Sequence, residues 1–418
     1  MDIQELISRN LAGERIGLPS FCTANEYVIR TILDQAVGRN VPVLIEATCN
    51  QVNQEGGYTG MTPADFAIWL AQLSQSAGVQ DGQLLLGGDH LGPNPWRNEP
   101  VDPAMARAEV LVRDYVKAGF TKIHLDASMA CGGEPLPDFS EVAKRAARLC
   151  RVAEENAPDP SALIYVIGTE VPVPGGETHD MSGLQLTTPE RLDETISTHR
   201  DAFSDAGVAE AWNRVVSVVT QPGVDFSHSS VHRFDSEAAK DLVAAIGSFD
   251  GLTFEGHSTD YQPTSSLADL VDRRVFFLKV GPELTFRFRE AIFALAEIED
   301  RLCPDARSGI VDVLDTTMDR TPGHWAGYYG GSKQDVAVLR HFSLSDRIRY
   351  YWQVPEVCAA LNRLMGNLSK RSLPSGLVTQ FFGEHEFGEI PVSPHELCAE
   401  RVARSVKRYY AACGFSLD

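Results

Sequence analysis

The residues with the greatest chemical capacity in this 418-residue chain follow short apolar runs. The clearest case is 84–93, LLLGGDHLGP, where three leucines give way to two glycines and then to Asp89 beside His90. An apolar run of this length suits a strand buried on both faces. A carboxylate next to an imidazole where such a strand surfaces suits acid–base or metal chemistry. The layout recurs at the ends of other apolar runs: Glu46 and Asn50, Asp126 and Ser128, Glu170, Gln221 and His228, then Glu255, His257 and Asp260, and finally Lys279. Three imidazoles with a carboxylate form the donor set of a catalytic zinc or a similar divalent ion. His90, His228 and His257 are the expected ligands, with Glu170 as a fourth ligand or a base. His232 competes with His228, and His124 reads as a structural residue. Lys279 at a strand end also admits Schiff-base chemistry with a carbonyl.

Such residues need a scaffold that brings strand ends together. The apolar runs fall at 16–22, 42–48, 84–93, 121–128, 162–172, 214–220, 252–257 and 275–280, and a helical stretch follows each. Helix starts carry recognisable signals: Thr62-Pro63-Ala64-Asp65 places a hydroxyl at the N-cap, proline at N1 and a carboxylate at N3. Lys117-Ala118-Gly119 closes the next helix with a cation and a glycine. Eight strand–helix units in about 300 residues predict a (β/α)₈ barrel over 1–303. A doubly wound sheet is the competitor, but neither a GxGxxG turn nor a GxxxxGK[ST] loop occurs. From 304 to 418 the alternation stops. A glycine- and aromatic-rich stretch, 321–335, leads into helical sequence, which predicts an appendage or lid packed on the barrel.

Composition narrows the class of partner. Asp and Glu number 57 against 37 Lys and Arg, a net charge of −20. That balance argues against nucleic acid or an acidic membrane surface as partner. A small phosphorylated ligand needs only a few local cations, and Arg347 with Arg349, together with Ser332 and Lys333, form a candidate phosphate clamp. The eight cysteines show no paired spacing and read as reduced thiols of a cytoplasmic protein. No targeting segment or membrane-length apolar run is read.

The chain resembles the tagatose-1,6-bisphosphate aldolase Z-subunit family. The resemblance rests on IEATCNQVNQEGGYTGMTPADF (45–66), GGDHLGPNPW (87–96), KIHLDASMAC (122–131), YVIGTEVPVPGGE (165–177), QPGVDFSH (221–228), FEGHSTDYQ (254–262), LKVGPELTFRFREAIFAL (278–295) and SDRIRYYW (345–352). It implies a class II aldolase-like barrel, a divalent metal (zinc first, with magnesium, manganese or cobalt open) and a phosphorylated ketohexose. Neither a nicotinamide nor pyridoxal phosphate is expected. Family members are variously labelled accessory aldolase subunits, tagatose-6-phosphate kinases and ketohexose-phosphate 4-epimerases. The separation of His228 and His257 fits the pattern of the catalytic aldolase partners.

A kinase is disfavoured, since no phosphate-cradling motif is present. Inversion at C4 of a 2-ketose cannot proceed by enolisation alone, because the C4 hydrogen is not α to the carbonyl. Cleavage and re-formation of the C3–C4 bond is the economical route. A carboxylate would carry the C4 hydroxyl proton, with Glu170 and Asp89 the first candidates and Asp126 and Glu255 behind them. Asn50, Gln51, Ser128 and Lys279 are expected to bind substrate. The expected function is therefore a metal-dependent tagatose/fructose 6-phosphate 4-epimerase, with a non-catalytic aldolase subunit as the alternative. A partner aldolase subunit or a homo-oligomer stays open.

Overall fold

A computed structural model describes residues 3–168, 184–383 and 392–417. Eight parallel strands close into a barrel: Leu18–Cys22, Val43–Thr48, Leu84–Leu91, Lys122–Leu125, Ile164–Ile167, Val215–Thr220, Thr253–Gly256 and Val275–Val280. Each pairs with its neighbours in sequence, and the first pairs with the last. This is the (β/α)₈ barrel that the alternation predicts. A two-residue ribbon, Asp225–Phe226 with Val231–His232, decorates the loop after the sixth strand.

Local signals place the helices. Thr62 accepts a hydrogen bond from the Asp65 amide while Asp65 caps back onto Thr62, so helix Pro63–Ala77 starts where the capping box sets it. The third helix of the barrel, Val101–Lys117, stops before Gly119, whose φ of +91° is the left-handed conformation glycine tolerates. Outward strand residues such as Ile123 and Leu125 join the layer between strands and helices, which also holds Tyr115, Phe120 and Phe66.

The part after residue 303 is helical: Ile310–Arg320, Lys333–Phe342, Pro355–Leu368, Ser375–Phe382 and Pro394–Ala412. The last of these is not a peripheral addition. It packs against helices Glu26–Ala36, Thr264–Asp272 and Pro282–Leu302 and touches the first strand. Tyr410 donates its hydroxyl to the Pro42 carbonyl at 2.9 Å, and Tyr409 donates to Thr259 at 2.6 Å. Thus the final helix helps complete the wall around the barrel, a role its position in the chain does not suggest.

Among the described residues, no helix is long and apolar enough to cross a membrane. All eight cysteines are free thiols, six of them buried.

Candidate functional site

The interior of the barrel carries charge where apolar side chains are usual. Glu46, Gly87 and Lys122 form one row across the second, third and fourth strands. Gly87 contributes no side chain, and a Cβ there would lie 2.7 Å from Cγ of Glu46. Across that gap the Lys122 ammonium reaches Glu46 Oε1 at 2.5 Å, and it also meets Glu255 Oε2 at 2.6 Å. Lys279 binds the other oxygens, Glu46 Oε2 at 3.0 Å and Glu255 Oε1 at 3.1 Å, and contacts Asp89 as well. Ser20 donates its hydroxyl to Glu46 at 2.7 Å. Two ammonium groups and three carboxylates are thereby paired in the buried interior with a net charge of −1, and pairing is the condition under which buried ions are tolerated. Burial alone would lower the Lys279 ammonium; the carboxylates of Asp89, Glu255 and Glu46 outweigh it and raise Lys279 well above the ordinary lysine range. A lysine so held stays protonated, which removes the lone pair a Schiff base requires.

Above this network, at the C-terminal rim, three imidazoles converge. His90, His124, His257 and Asp89 each offer a ligand atom, and these atoms lie within 4.8 Å of one another. Each imidazole is oriented by a second contact at its other nitrogen. His90 Nδ1 donates to Asp126 Oδ2 at 2.9 Å, His257 Nε2 donates to Glu255 Oε1 at 2.8 Å, and His124 Nε2 donates to the Gly168 carbonyl at 3.0 Å. Anchoring one ring nitrogen fixes the tautomer and leaves the other as an acceptor, the usual arrangement around a bound metal, although at His124 that nitrogen, Nδ1, also receives the His90 amide at 3.2 Å. His124 Nδ1 sits 2.9 Å from Asp89 Oδ1, and two acceptors at that distance need a proton or a cation between them. The donor set therefore fits a divalent cation.

Electrostatics follow the same geometry. Burial would raise the Asp89 carboxyl, but the neighbouring His90 and Lys279 charges hold it well below the usual range. Burial also opposes ionisation of Asp126, and the His90 contacts overcome it, so this carboxyl too is held low. His257 is pushed down to about 3, first by burial and then by the Lys279 charge. The backbone at His90 adopts φ +48°, unusual for a residue with a Cβ, and the third strand is irregular between Gly88 and Leu91. That kink turns His90 toward Asp126. Gly92 then passes so close to the fourth strand's end that a Cβ would fall 1.6 Å from the Asp126 carbonyl oxygen. The glycines of the LLLGGDHLG stretch are thus steric requirements of the site.

A cavity of about 180 Å³ opens above the cluster, lined by Asn50, Gln51, Asp89, His90, Asp126, His257, Asp260, Lys279 and Arg349 among others. It adjoins a larger chamber of about 750 Å³ beneath the C-terminal helices, and Cys22, Gln51, Tyr58, Gly281 and Arg349 belong to both walls.

Most expected site residues meet here, and several do not. Asp89, His90, Asp126, His257 and Lys279 come together, with Asn50 and Gln51 on the cavity wall. Ser128 supports Asp126, donating its hydroxyl at 2.7 Å. Glu170 lies outside the described residues. His228 is not in the cluster. Its Nδ1 meets Ser343 Oγ at 3.0 Å and its Nε2 meets the Tyr328 carbonyl at 3.2 Å, so it ties the sixth-strand loop to the C-terminal part. His232 faces the Gly223 carbonyl at 2.9 Å. The third imidazole is instead His124, buried in the fourth strand.

Of the two expected guanidinium groups, only Arg349 reaches the cavity. The segment Arg347–Tyr351 forms a tight helical turn on which residues two apart diverge. Arg347 stacks on Tyr328 and donates to the His324 carbonyl, whereas Arg349 lies over Tyr350 and donates to the Ser345 and Asp346 carbonyls. Ser332 and Lys333 are exposed, and Ser332 caps helix Lys333–Phe342 through Asp335. They take no part in the cavity. Lys122, absent from the expected set, is found by strand alternation: Lys122, His124 and Asp126 share one parity and face inward together.

Comparison with known proteins agrees with this architecture. Residues 3–414 match the family described as D-tagatose-1,6-bisphosphate aldolase subunit GatZ/KbaZ-like. The D-tagatose-1,6-bisphosphate aldolase subunit GatZ of Salmonella enteritidis is 46% identical, over 98% of this chain and 99% of the relative. That of Klebsiella pneumoniae is 44% identical with the same coverage. The crystal structure of a probable tagatose 6 phosphate kinase from Sinorhizobium meliloti 1021 superposes with a TM-score of 0.88 at 44% identity, covering 95% of this chain and all of that one. The barrel, its histidine–carboxylate rim and these full-length matches lead to one assignment: the chain belongs to the GatZ/KbaZ-like family of D-tagatose-1,6-bisphosphate aldolase subunits.

Proposed function

We propose that the protein is a metal-dependent 4-epimerase that interconverts tagatose 6-phosphate and fructose 6-phosphate by cleaving and re-forming the C3–C4 bond. The observation that carries this reading is the set of three imidazoles, each anchored at its far nitrogen, converging with Asp89 on one cavity. His90, His124, His257 and Asp89 would hold a divalent ion. When bound, such an ion supplies Lewis-acid stabilisation of negative charge at the substrate carbonyl. Lys279 adds a fixed positive charge beside Asp89. Asp126 stays ionised at the cavity wall and can accept the C4 hydroxyl proton. Arg349, half-buried in the cavity wall, is the cation available to receive the phosphate.

The names of the relatives support a second reading, a subunit that assembles with a class II-type aldolase. Val338 and Phe342, one helical turn apart, are 52% and 55% exposed and would suit a contact with such a partner. A carbon NMR time course separates the two readings. The purified chain, without partner, is given fructose 6-phosphate in metal-loaded and chelator-stripped form. Tagatose 6-phosphate formed only by the loaded protein supports the epimerase. No conversion in either sample overturns it in favour of the subunit reading.

A further inference from the structure

The loop after the seventh strand presents a carboxyl that the mechanism above leaves unused. Asp260 is 2% exposed and lines the 180 Å³ cavity with His257, Lys279 and Asp126. One oxygen, Oδ1, accepts the Gly281 and Glu283 amides at 3.1 and 2.8 Å, the first donors of helix Pro282–Leu302. Among the described residues, no other residue donates a hydrogen bond to Oδ2. The loop is rigid on both sides of Asp260. Ser258 and Tyr261 adopt φ +50° and +63°, conformations that cost free energy and persist only where surroundings enforce them. Here Thr259 Oγ1 donates to the Lys279 carbonyl, the Tyr261 amide donates to Glu283, and the Tyr261 hydroxyl donates to the Leu344 carbonyl, each at 2.6 Å.

Epimerisation through bond cleavage imposes a demand that one fixed carboxylate cannot meet. Cleavage moves the C3–C4 electron pair into the enediolate and leaves C4 as an aldehyde, with the C4 hydroxyl proton on a carboxylate. After the aldehyde turns its other face to C3, the bond re-forms and the new alkoxide needs a proton on the opposite side. Asp126 is clamped by His90 and Ser128 and cannot follow the oxygen across. Resting on the epimerase reading, we propose that Asp260 is a second catalytic carboxyl, serving the C4 hydroxyl of one epimer while Asp126 serves the other. The proton gained at one carboxyl and lost at the other exchanges with water between turnovers, and no net oxidation occurs.

The surroundings suit a proton donor. Burial, reinforced by the Glu283 charge and opposed by the two helix amides, pushes the Asp260 carboxyl up to about 7. Glu283 is itself paired with Arg408 and Ser405 of the last helix, and Tyr261 and Tyr409 face the same loop. Lys279, His257 and Arg349 line the same cavity.

The test follows aldehyde release from each epimer separately, trapping glyceraldehyde 3-phosphate with its dehydrogenase. Asp260→Asn keeps an oxygen for the helix amides. It should slow release from one epimer by about 10²–10⁴-fold, change the other less than threefold, and abolish interconversion. Equal slowing of both, or surviving interconversion, overturns the assignment. The wild-type protein supplies a check free of any folding defect: pH profiles for the two epimers should differ, only one showing a limb near neutrality. Identical profiles also overturn the assignment. If the wild type converts neither sugar, the epimerase reading itself fails, whereas wild-type conversion with an unaffected Asp260→Asn variant removes Asp260 alone.

Discussion

Replacing Lys122 with methionine isolates the energetics of the barrel interior. Lys122 is 1% exposed, touches two carboxylates that are fully buried, and lies 4.8 Å from the Phe277 ring centre. Removing one partner from a buried ionic network leaves an uncompensated charge and costs about 3–5 kcal/mol. Lys279 still contacts both Glu46 and Glu255, which places the expected loss nearer about 3 kcal/mol. The loss should also depend on pH. In the native protein burial would raise Glu255, but Lys122 and Lys279 hold it well below the usual carboxylate range. A depressed carboxyl contributes stability above its unfolded pKa of about 4.3, and that contribution is lost as pH falls through the folded value. Without Lys122 the burial effect regains ground and the folded pKa rises. The variant can then relieve its penalty by protonating Glu255, so its deficit should shrink between pH 8 and pH 5. Urea unfolding followed by tryptophan fluorescence at both pH values measures this. The double variant Lys122→Met, Glu255→Gln should recover about 1–3 kcal/mol relative to the sum of the single changes. A deficit under about 1 kcal/mol, or one equal at both pH values, would refute the account of the network as a set of mutually required charges.

Arg349→Met should raise the KM for a sugar phosphate about 10–100-fold, the worth of a hydrogen bond to a charged group, while Ser332→Ala and Lys333→Ala leave it unchanged. A similar rise in either of the latter would restore the glycine loop as a phosphate site. His124→Ala and His257→Ala should lose bound divalent metal after dialysis, measured by mass spectrometry, whereas His228→Ala should retain it. Metal loss in His228→Ala would move the ligand set to the one expected from sequence. Deleting residues 394–418 should prevent formation of a soluble, cooperatively melting protein, and a folded truncated chain would show the last helix to be dispensable.

The strand count and the polar strand ends were legible because both depend on local order: an apolar run, a glycine break, then a functional side chain. Capping boxes and proline positions fixed helix starts for the same reason, as at Thr62. What escaped depends on the rotation of strands about the barrel axis. Nothing near Lys122 in sequence reveals that it meets Glu46 and Glu255 across the interior, since those contacts depend on strand register and on the missing side chain of Gly87. His124 was discounted although its parity matches Asp126, which alternation alone could have corrected. His228 had the right type and spacing, but its loop continues into the short ribbon and carries it to Ser343. Arg347 and Arg349 diverge because their segment coils tightly, a distinction their sequence leaves open.

The last helix has a consequence for how the molecule comes into being. Helix Pro394–Ala412 secures Thr259 through Tyr409, Glu283 through Ser405 and Arg408, and Pro42 through Tyr410. Residues from both ends of the barrel therefore await a segment far along the chain. The loop that aims Asp260 has no backing until residues 394–412 have docked against it. Such long-range closure makes folding slow and leaves apolar surface exposed meanwhile. The site is thus complete only once that distant helix has docked, so its assembly is among the long-range steps of folding.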